Sequence, residues 1–191
     1  GGPIFGNPYG VAMLPIKPGS SGIPMPGIEA AVMTPEGEPC APGEKGIMVI
    51  KRPFPGLTPT LWGEPERYGP DYWERIPGCY YTGDAAHIDE DGYVHIVGRN
   101  KDLIISGGYN IYPKEIELLL DDQPGVLESA VIGVAHPDFG ETVLGVIVPA
   151  PGETPDIDAI MLAVQTQLAR FKHPRKLILI DELPRNTMGK V

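Results

Sequence analysis

The chain has 191 residues, two cysteines and a formal net charge of −10, and 42% of its residues are hydrophobic. This composition is typical of globular domains, and the acidic excess argues against a broad surface for nucleic acids or anionic membranes. Two cysteines without a C-x-x-C motif argue against a disulfide scaffold and a structural zinc site. The sequence contains no run of 18 apolar residues, so it does not predict a membrane span. We therefore expect a cytoplasmic protein with neither a nucleic-acid nor a membrane partner.

The first half of the chain predicts a β-rich region with turns. Strand-like runs at 28–33 and 46–51 flank a loop rich in Pro and Gly, and a hairpin follows at 80–99, with its turn at Asp91-Gly92. Between them, the aromatic stretch 58–79 is interrupted by prolines, which favours irregular or short helical structure.

The second half predicts a small β-β-α-β-β-α-β unit. Short strands flank Gly107-Gly108, Pro113 suits the first position of a helix, and Thr154 is expected to cap a second helix. Apolar residues recur at helical spacing in this second helix: Ile157, Ile160, Met161, Val164 and Leu168. The fold class is therefore α+β, with one domain over 1–98, a boundary at 99–102 and a second domain over 103–191.

Three stretches place polar residues where they can do chemistry. In YYTGD (80–84) a carboxylate follows a glycine, and Asp84 can accept hydrogen bonds from a pair of ribose hydroxyls. In GRNKDLIISGGYN (98–110), Arg99 can reach a ribose or a phosphate, and Gly107-Gly108 would let a ligand approach the backbone. The structural alternatives are that Asp84 is only a turn residue and that 98–110 is only a charged linker.

The third stretch is PRNTMGK, which ends at Lys190. It does not match the phosphate-binding pattern G-x-x-x-x-G-K-[ST], because Pro184 and Val191 stand at two required positions. A lysine on such a loop can still stabilise a growing negative charge, and a surface lysine is the alternative. The four histidines are scattered, so no metal site is predicted.

Together and in this order, the three motifs resemble the adenylate-forming superfamily, which contains acyl-CoA synthetases, luciferases and amino-acid-adenylating domains. Residues 1–98 look like acetyl- and propionyl-CoA synthetases. Residues 99–191 look more like malonyl-CoA synthetase and medium-chain acyl-CoA ligases, since Lys101 and Asn110 stand where the acetate branch has an aspartate and a basic residue. The chain is accordingly either a divergent homologue or a sequence joined from two subfamilies.

The resemblance implies a two-step reaction, in which ATP and a carboxylate give an acyl-AMP and pyrophosphate before CoA forms the thioester and releases AMP. Asp84 and Arg99 would bind the ribose, and Lys190 would reach the carboxylate and the α-phosphate. Lys101 would be the hinge, while Gly107 and Gly108 would line the pantetheine channel. ATP, Mg²⁺ and coenzyme A are the implied cofactors, with the magnesium ligands mostly upstream of residue 1.

We therefore expect a fragment of a short-chain carboxylate–CoA ligase, inactive alone, that joins the end of the large adenylation domain to a small domain truncated after Lys190. Acetate or propionate leads as substrate, and a malonyl-CoA or medium-chain acyl-CoA synthetase is the alternative. A non-catalytic nucleotide-binding or interaction module and an amino-acid-adenylating domain are alternatives of other classes. The resemblance also implies that a lysine acetyltransferase and a deacetylase act on Lys190.

Overall fold

The computed structural model describes residues 3–7, 14–187, 189 and 191, and the chain divides into two compact units, unit 1 (Gly1–Asn100) and unit 2 (Lys101–Val191). The division falls within the boundary that the sequence predicts at 99–102. That these residues act as a hinge stays a prediction.

Unit 1 is organised around a four-stranded antiparallel sheet of order β3-β4-β5-β6. Its strands are β1 (Phe5–Gly6), β2 (Ile23–Pro24), β3 (Ala30–Met33), β4 (Gly46–Ile50), β5 (Tyr80–Ile88) and β6 (Val94–Arg99). Between β4 and β5 the chain forms a 3₁₀ helix at Pro65–Arg67 and a π-helix at Gly69–Trp73. The antiparallel strands and the short helical excursion are as the sequence predicts.

Both faces of this sheet carry buried apolar side chains, because successive residues of a strand point to opposite sides. Val32 and Met48 pack with Ala86 and Val94 in one cluster. Met33 and Val49, which directly follow Val32 and Met48 in their strands, pack with Ile76 and Cys79 in a second cluster on the opposite face. The sheet is thereby packed on both faces, and this packing fixes the backbone of β5 and β6.

Unit 2 follows the predicted order of elements. They are β7 (Ile104–Ser106), β8 (Tyr109–Ile111), α1 (Pro113–Asp121), β9 (Val126–His136), β10 (Gly140–Pro149), α2 (Ile157–Gln167) and β11 (Lys176–Leu179). Two 3₁₀ turns accompany them, at Asn100–Asp102 and at Arg170–Lys172. β10 pairs antiparallel with β9 and parallel with β11, and the β7–β8 hairpin meets β10 at Gly140.

One buried cluster joins both helices of unit 2 to its sheet. Ile116 and Leu120 of α1 and Ile160 and Val164 of α2 are at its centre. The helical spacing of apolar residues is thus confirmed, but the expected cap is wrong: Asp156 is the N-cap of α2, and its Oδ1 accepts hydrogen bonds from the backbone N–H groups of residues 158 and 159. No helix in the described ranges has the length and apolar character needed to cross a membrane.

Candidate functional site: a carboxylate–guanidinium pair and a basic, aromatic cavity

Asp84 and Arg99 face each other across two neighbouring strands. The register of β5 and β6 places Asp84 directly opposite Arg99, and Arg99 Nη1 lies 2.8 Å from Asp84 Oδ1. The Asp84 side chain is 28% exposed, and that of Arg99 is 54% exposed. The structure thus brings together the two residues that the sequence predicts, separately, to bind a nucleotide, and their role stays a prediction.

Neighbouring residues fix the backbone on both sides of the Asp84 carboxylate. The Thr82 hydroxyl donates a hydrogen bond to the Met48 carbonyl and accepts one from the Asp84 N–H, at 2.8 and 3.2 Å. Asn100 Nδ2 donates to the Asp84 carbonyl at 3.2 Å. Gly83 has a φ of +80°, a backbone conformation that residues with a side chain rarely adopt. This requirement explains why a glycine precedes Asp84 in β5.

The environment of Asp84 raises the pKa of its carboxyl group. Partial burial disfavours the charged form and raises the pKa, and the positive charge of Arg99 opposes this effect. Within the described residues, the carboxylate forms an ion pair with Arg99 through Oδ1. A ribose hydroxyl can therefore donate a hydrogen bond to Oδ2.

The other two charged residues that the sequence predicts for the site stand apart from this pair. Lys101 is exposed, lies in the 3₁₀ turn Asn100–Asp102 and is the first residue of unit 2. Lys190, the predicted catalytic residue, lies outside the described residues. The structure therefore leaves both roles as predictions.

Gly107 and Gly108 form the two-residue turn between β7 and β8. Their φ angles are +57° and +83°, as a tight hairpin turn of this kind requires. The Gly107 N–H donates to the Phe139 carbonyl at 2.9 Å, and a Cβ on Gly107 would lie 3.2 Å from Phe139 Cδ1. Gly107 and Phe139 both line a cavity.

The cavity beside this turn, which we call the unit 2 cavity, has a volume of about 460 Å³ and combines arginines with aromatic rings. The Arg175 guanidinium lies 4.9 Å from the centre of the Phe139 ring. The Tyr109 and Phe171 rings stack with centres 4.6 Å apart and planes at 19°. Arg170 and His173 also line the cavity.

Two arginines and flat aromatic faces suit a ligand with phosphates and a planar ring system. This cavity was not predicted from the sequence. The alternation of cations and an aromatic in RFKHPR (170–175) is a signal that could have indicated it.

No metal-binding cluster is found in the described part of the chain, where no three His, Cys, Asp or Glu side chains are grouped suitably. Magnesium binding therefore stays a prediction about residues upstream of residue 1, and no step below depends on it.

Comparison with known proteins shows what the chain is similar to. Residues 115–190 match the model of the AMP-binding enzyme C-terminal domain. Over its whole length the chain is 36% identical to an acetyl-coenzyme A synthetase from Pyrobaculum aerophilum, and it covers 29% of that enzyme. Over 92% of its length it is 42% identical to a feruloyl-CoA synthase from Amycolatopsis, of which it covers 35%.

A solved structure shows the same fold. The ATP-bound MatB of Rhodopseudomonas palustris superposes with a TM-score of 0.80 at 47% sequence identity, over 91% of this chain and 34% of MatB. The chain is thus similar to acyl-CoA synthetases of the adenylate-forming superfamily, and residues 115–190 match the C-terminal domain of AMP-binding enzymes. It spans about a third of the length of the relatives it matches.

Proposed function

We propose that the chain forms part of an AMP-forming carboxylate–CoA ligase. The observation that carries the proposal is the Asp84–Arg99 pair, a partly buried carboxylate with one oxygen available beside a guanidinium. The similarity to acyl-CoA synthetases supports the same reaction class.

In the first half-reaction, an oxygen of the carboxylate substrate attacks the α-phosphorus of ATP, and the bond to the β-phosphate oxygen breaks. This gives an acyl-AMP and pyrophosphate. Asp84 accepts hydrogen bonds from the ribose hydroxyls, while Arg99 holds the Asp84 carboxylate and lies near the ribose. Lys190 places its positive charge near the carboxylate and the α-phosphate, where negative charge develops.

In the second half-reaction, the CoA thiolate attacks the acyl carbon, and AMP leaves with the electrons of the carbon–oxygen bond. The unit 2 cavity suits the charged end of CoA, because Arg170 and Arg175 can pair with phosphates and the exposed aromatic faces can stack on adenine. Gly107 and Gly108 let the pantetheine chain pass close to the backbone, since neither carries a side chain.

The two half-reactions place different parts of the protein at the acyl group, so a change of conformation between them is required. We assign the hinge to Lys101, the first residue of unit 2. The exposed 3₁₀ turn around it is short and can absorb a change in backbone angles.

For the acyl group, we propose a short-chain carboxylate, with acetate or propionate first, as in the acetyl-coenzyme A synthetases that the chain resembles. Malonate is the second candidate, because MatB, a malonyl-CoA synthetase, is 47% identical over most of the chain. We further propose that the reaction takes place in the cytoplasm with Mg·ATP, and that acetylation of Lys190 would remove the charge that the first step needs.

The test separates the two half-reactions in the natural polypeptide that contains these residues. We expect exchange of labelled pyrophosphate into ATP that depends on the carboxylate, and thioester formation when CoA is added. Asp84→Asn should lower both rates, whereas Lys190→Ala should abolish the exchange but leave thioester formation from a supplied acyl-AMP. Nucleotide binding without either reaction would instead support a non-catalytic module, and transfer to a carrier protein would support an amino-acid-adenylating domain.

A further inference from the structure

A short ion pair ties α1 to the segment that carries Phe171. Lys172 Nζ lies 2.6 Å from Glu115 Oε1, although the two residues are 57 positions apart in the sequence. The Lys172 and Glu115 side chains are only 18% and 31% exposed. Glu115 lies in the first turn of α1, which is anchored in the core by Ile116, so it is a fixed point for Lys172.

The segment held in this way supplies one aromatic wall of the unit 2 cavity. Phe171 precedes Lys172 in the same 3₁₀ turn, and Lys172 Nζ lies 5.7 Å from the centre of the Phe171 ring. The Phe171 ring stacks on Tyr109, yet Phe171 is 39% exposed and Tyr109 is 56% exposed. Because so much of both rings faces solvent, burial of apolar surface contributes little to their alignment.

We propose that Glu115 and Lys172 are positioning residues for CoA recognition. Their ion pair fixes the turn that carries Phe171, keeps the Phe171 ring stacked on Tyr109, and so preserves an aromatic surface on which the ligand's adenine can lie. This inference rests on the proposed function of the unit 2 cavity. It assigns a role to two residues that do not line the cavity and do not belong to the Asp84–Arg99 pair.

The same ion pair also stabilises the fold, so the positioning role must be separated from stability. Neutralising either residue removes the attraction between two partly buried charges, which lowers the free energy of unfolding. The second pair on α1, Lys114 with Glu117 at 3.4 Å, offers a matched control. Lys114 is about half exposed and does not line the cavity, so its loss should change neither ring stacking nor CoA binding.

The experiment uses the natural polypeptide that contains these residues. CoA is titrated by isothermal calorimetry into the wild type, Glu115→Gln, Lys172→Met, the charge exchange Glu115→Lys/Lys172→Glu, and Lys114→Met. NMR contacts between the Phe171 and Tyr109 ring protons are measured in the same proteins, and pantetheine, which lacks the adenine, is titrated for comparison.

We expect each single neutralisation to weaken CoA binding about fivefold, the size of effect that loss of one aromatic contact produces, and to remove the ring contacts. The charge exchange should restore both, Lys114→Met should change neither, and pantetheine binding should be unaffected throughout. Unchanged CoA affinity in Glu115→Gln and Lys172→Met would overturn the inference. If the wild type binds no CoA, the proposed function of the cavity fails, and ring contacts that survive in Glu115→Gln separately overturn the positioning role.

Discussion

Replacement of Gly107 by alanine tests whether the β7–β8 turn shapes the unit 2 cavity. Its matched control is Gly108→Ala in the same turn. Both positions have positive φ angles, +57° and +83°, so both substitutions should lower the free energy of unfolding by about 1–2 kcal/mol. For a unit of roughly 60–100 residues, each kcal/mol corresponds to a fall of about 4–8 °C in Tm.

The two substitutions differ in what the new methyl group meets. A Cβ on Gly107 would lie 3.2 Å from Phe139 Cδ1, whereas a Cβ on Gly108 would meet no atom within 4 Å among the described residues. Ordinary carbon–carbon contacts are about 3.5–4.0 Å, so the Phe139 ring must move by several tenths of an ångström. Phe139 is partly exposed and can yield, but the Arg175 guanidinium lies over its ring and would move with it.

We therefore expect Gly107→Ala to weaken CoA binding about three- to tenfold, a range set by the loss of one cation–aromatic contact of about 0.5–1 kcal/mol or more. Gly108→Ala should bind 3′-phosphoadenosine 5′-diphosphate, the end of CoA that lacks pantetheine, within a factor of two of the wild type, whereas Gly107→Ala should bind it as weakly as it binds CoA. Thermal unfolding by circular dichroism gives the stabilities, and calorimetric titration at a temperature well below both Tm values gives the affinities. Equal affinity of the two variants for this nucleotide would refute the assignment of Phe139 to the binding surface.

The remaining predictions concern the nucleotide pair and the fold. The raised pKa of Asp84 means that the folded state binds its proton more tightly than the unfolded chain, so stability falls as pH rises from 3.8 through the raised pKa. Asp84→Asn should remove this pH dependence, and its Tm at pH 7 should be at least that of the wild type, although its nucleotide affinity should be lower. A lower Tm than the wild type at pH 7 would contradict the argument that burial raises the pKa of Asp84. Wild-type nucleotide affinity should itself decline on acidification, starting above pH 3.8. Asp156→Ala should lower the free energy of unfolding in urea by about 1 kcal/mol, because it removes the α2 cap. Asp158→Ala, two residues further along in the first turn of α2, should lower it by less, and equal losses would count against the cap. Gly145→Ala should cost about 1–3 kcal/mol, because its Cβ would lie 2.4 Å from Leu177 Cδ2 in the core, and an unchanged Tm would contradict the tight packing of β10 on β11.

Much of unit 2 is predictable from local signals in the sequence. Pro113 marks the start of α1, the glycine pair marks the β7–β8 turn, and the helical spacing of apolar residues identifies α2. The position of the α2 cap was missed, because Thr154 and Asp156 are both suitable residues. The N-cap is the residue whose side chain accepts hydrogen bonds from the first N–H groups of the helix, and this depends on where the backbone turns into the helix.

The pairing of distant residues is what local signals could not supply. Nothing near Lys176 in the sequence indicates that β11 runs parallel to β10, since this depends on how the intervening helix crosses the sheet. The unit 2 cavity was missed for the same reason: Tyr109, Phe139 and Phe171 lie in separate elements. Asp84 and Arg99 were found individually, but only the strand register shows that they form an ion pair.

The measurement that tests the account most directly is product analysis with the natural polypeptide that contains these residues. It is incubated with ATP, CoA and, separately, acetate, propionate and malonate, and the products are identified by mass spectrometry. We predict the acyl-CoA thioester of at least one of these acids together with equal amounts of AMP and pyrophosphate. Release of ADP and phosphate, or no thioester with any of the three acids, would contradict the proposal of an AMP-forming short-chain carboxylate–CoA ligase.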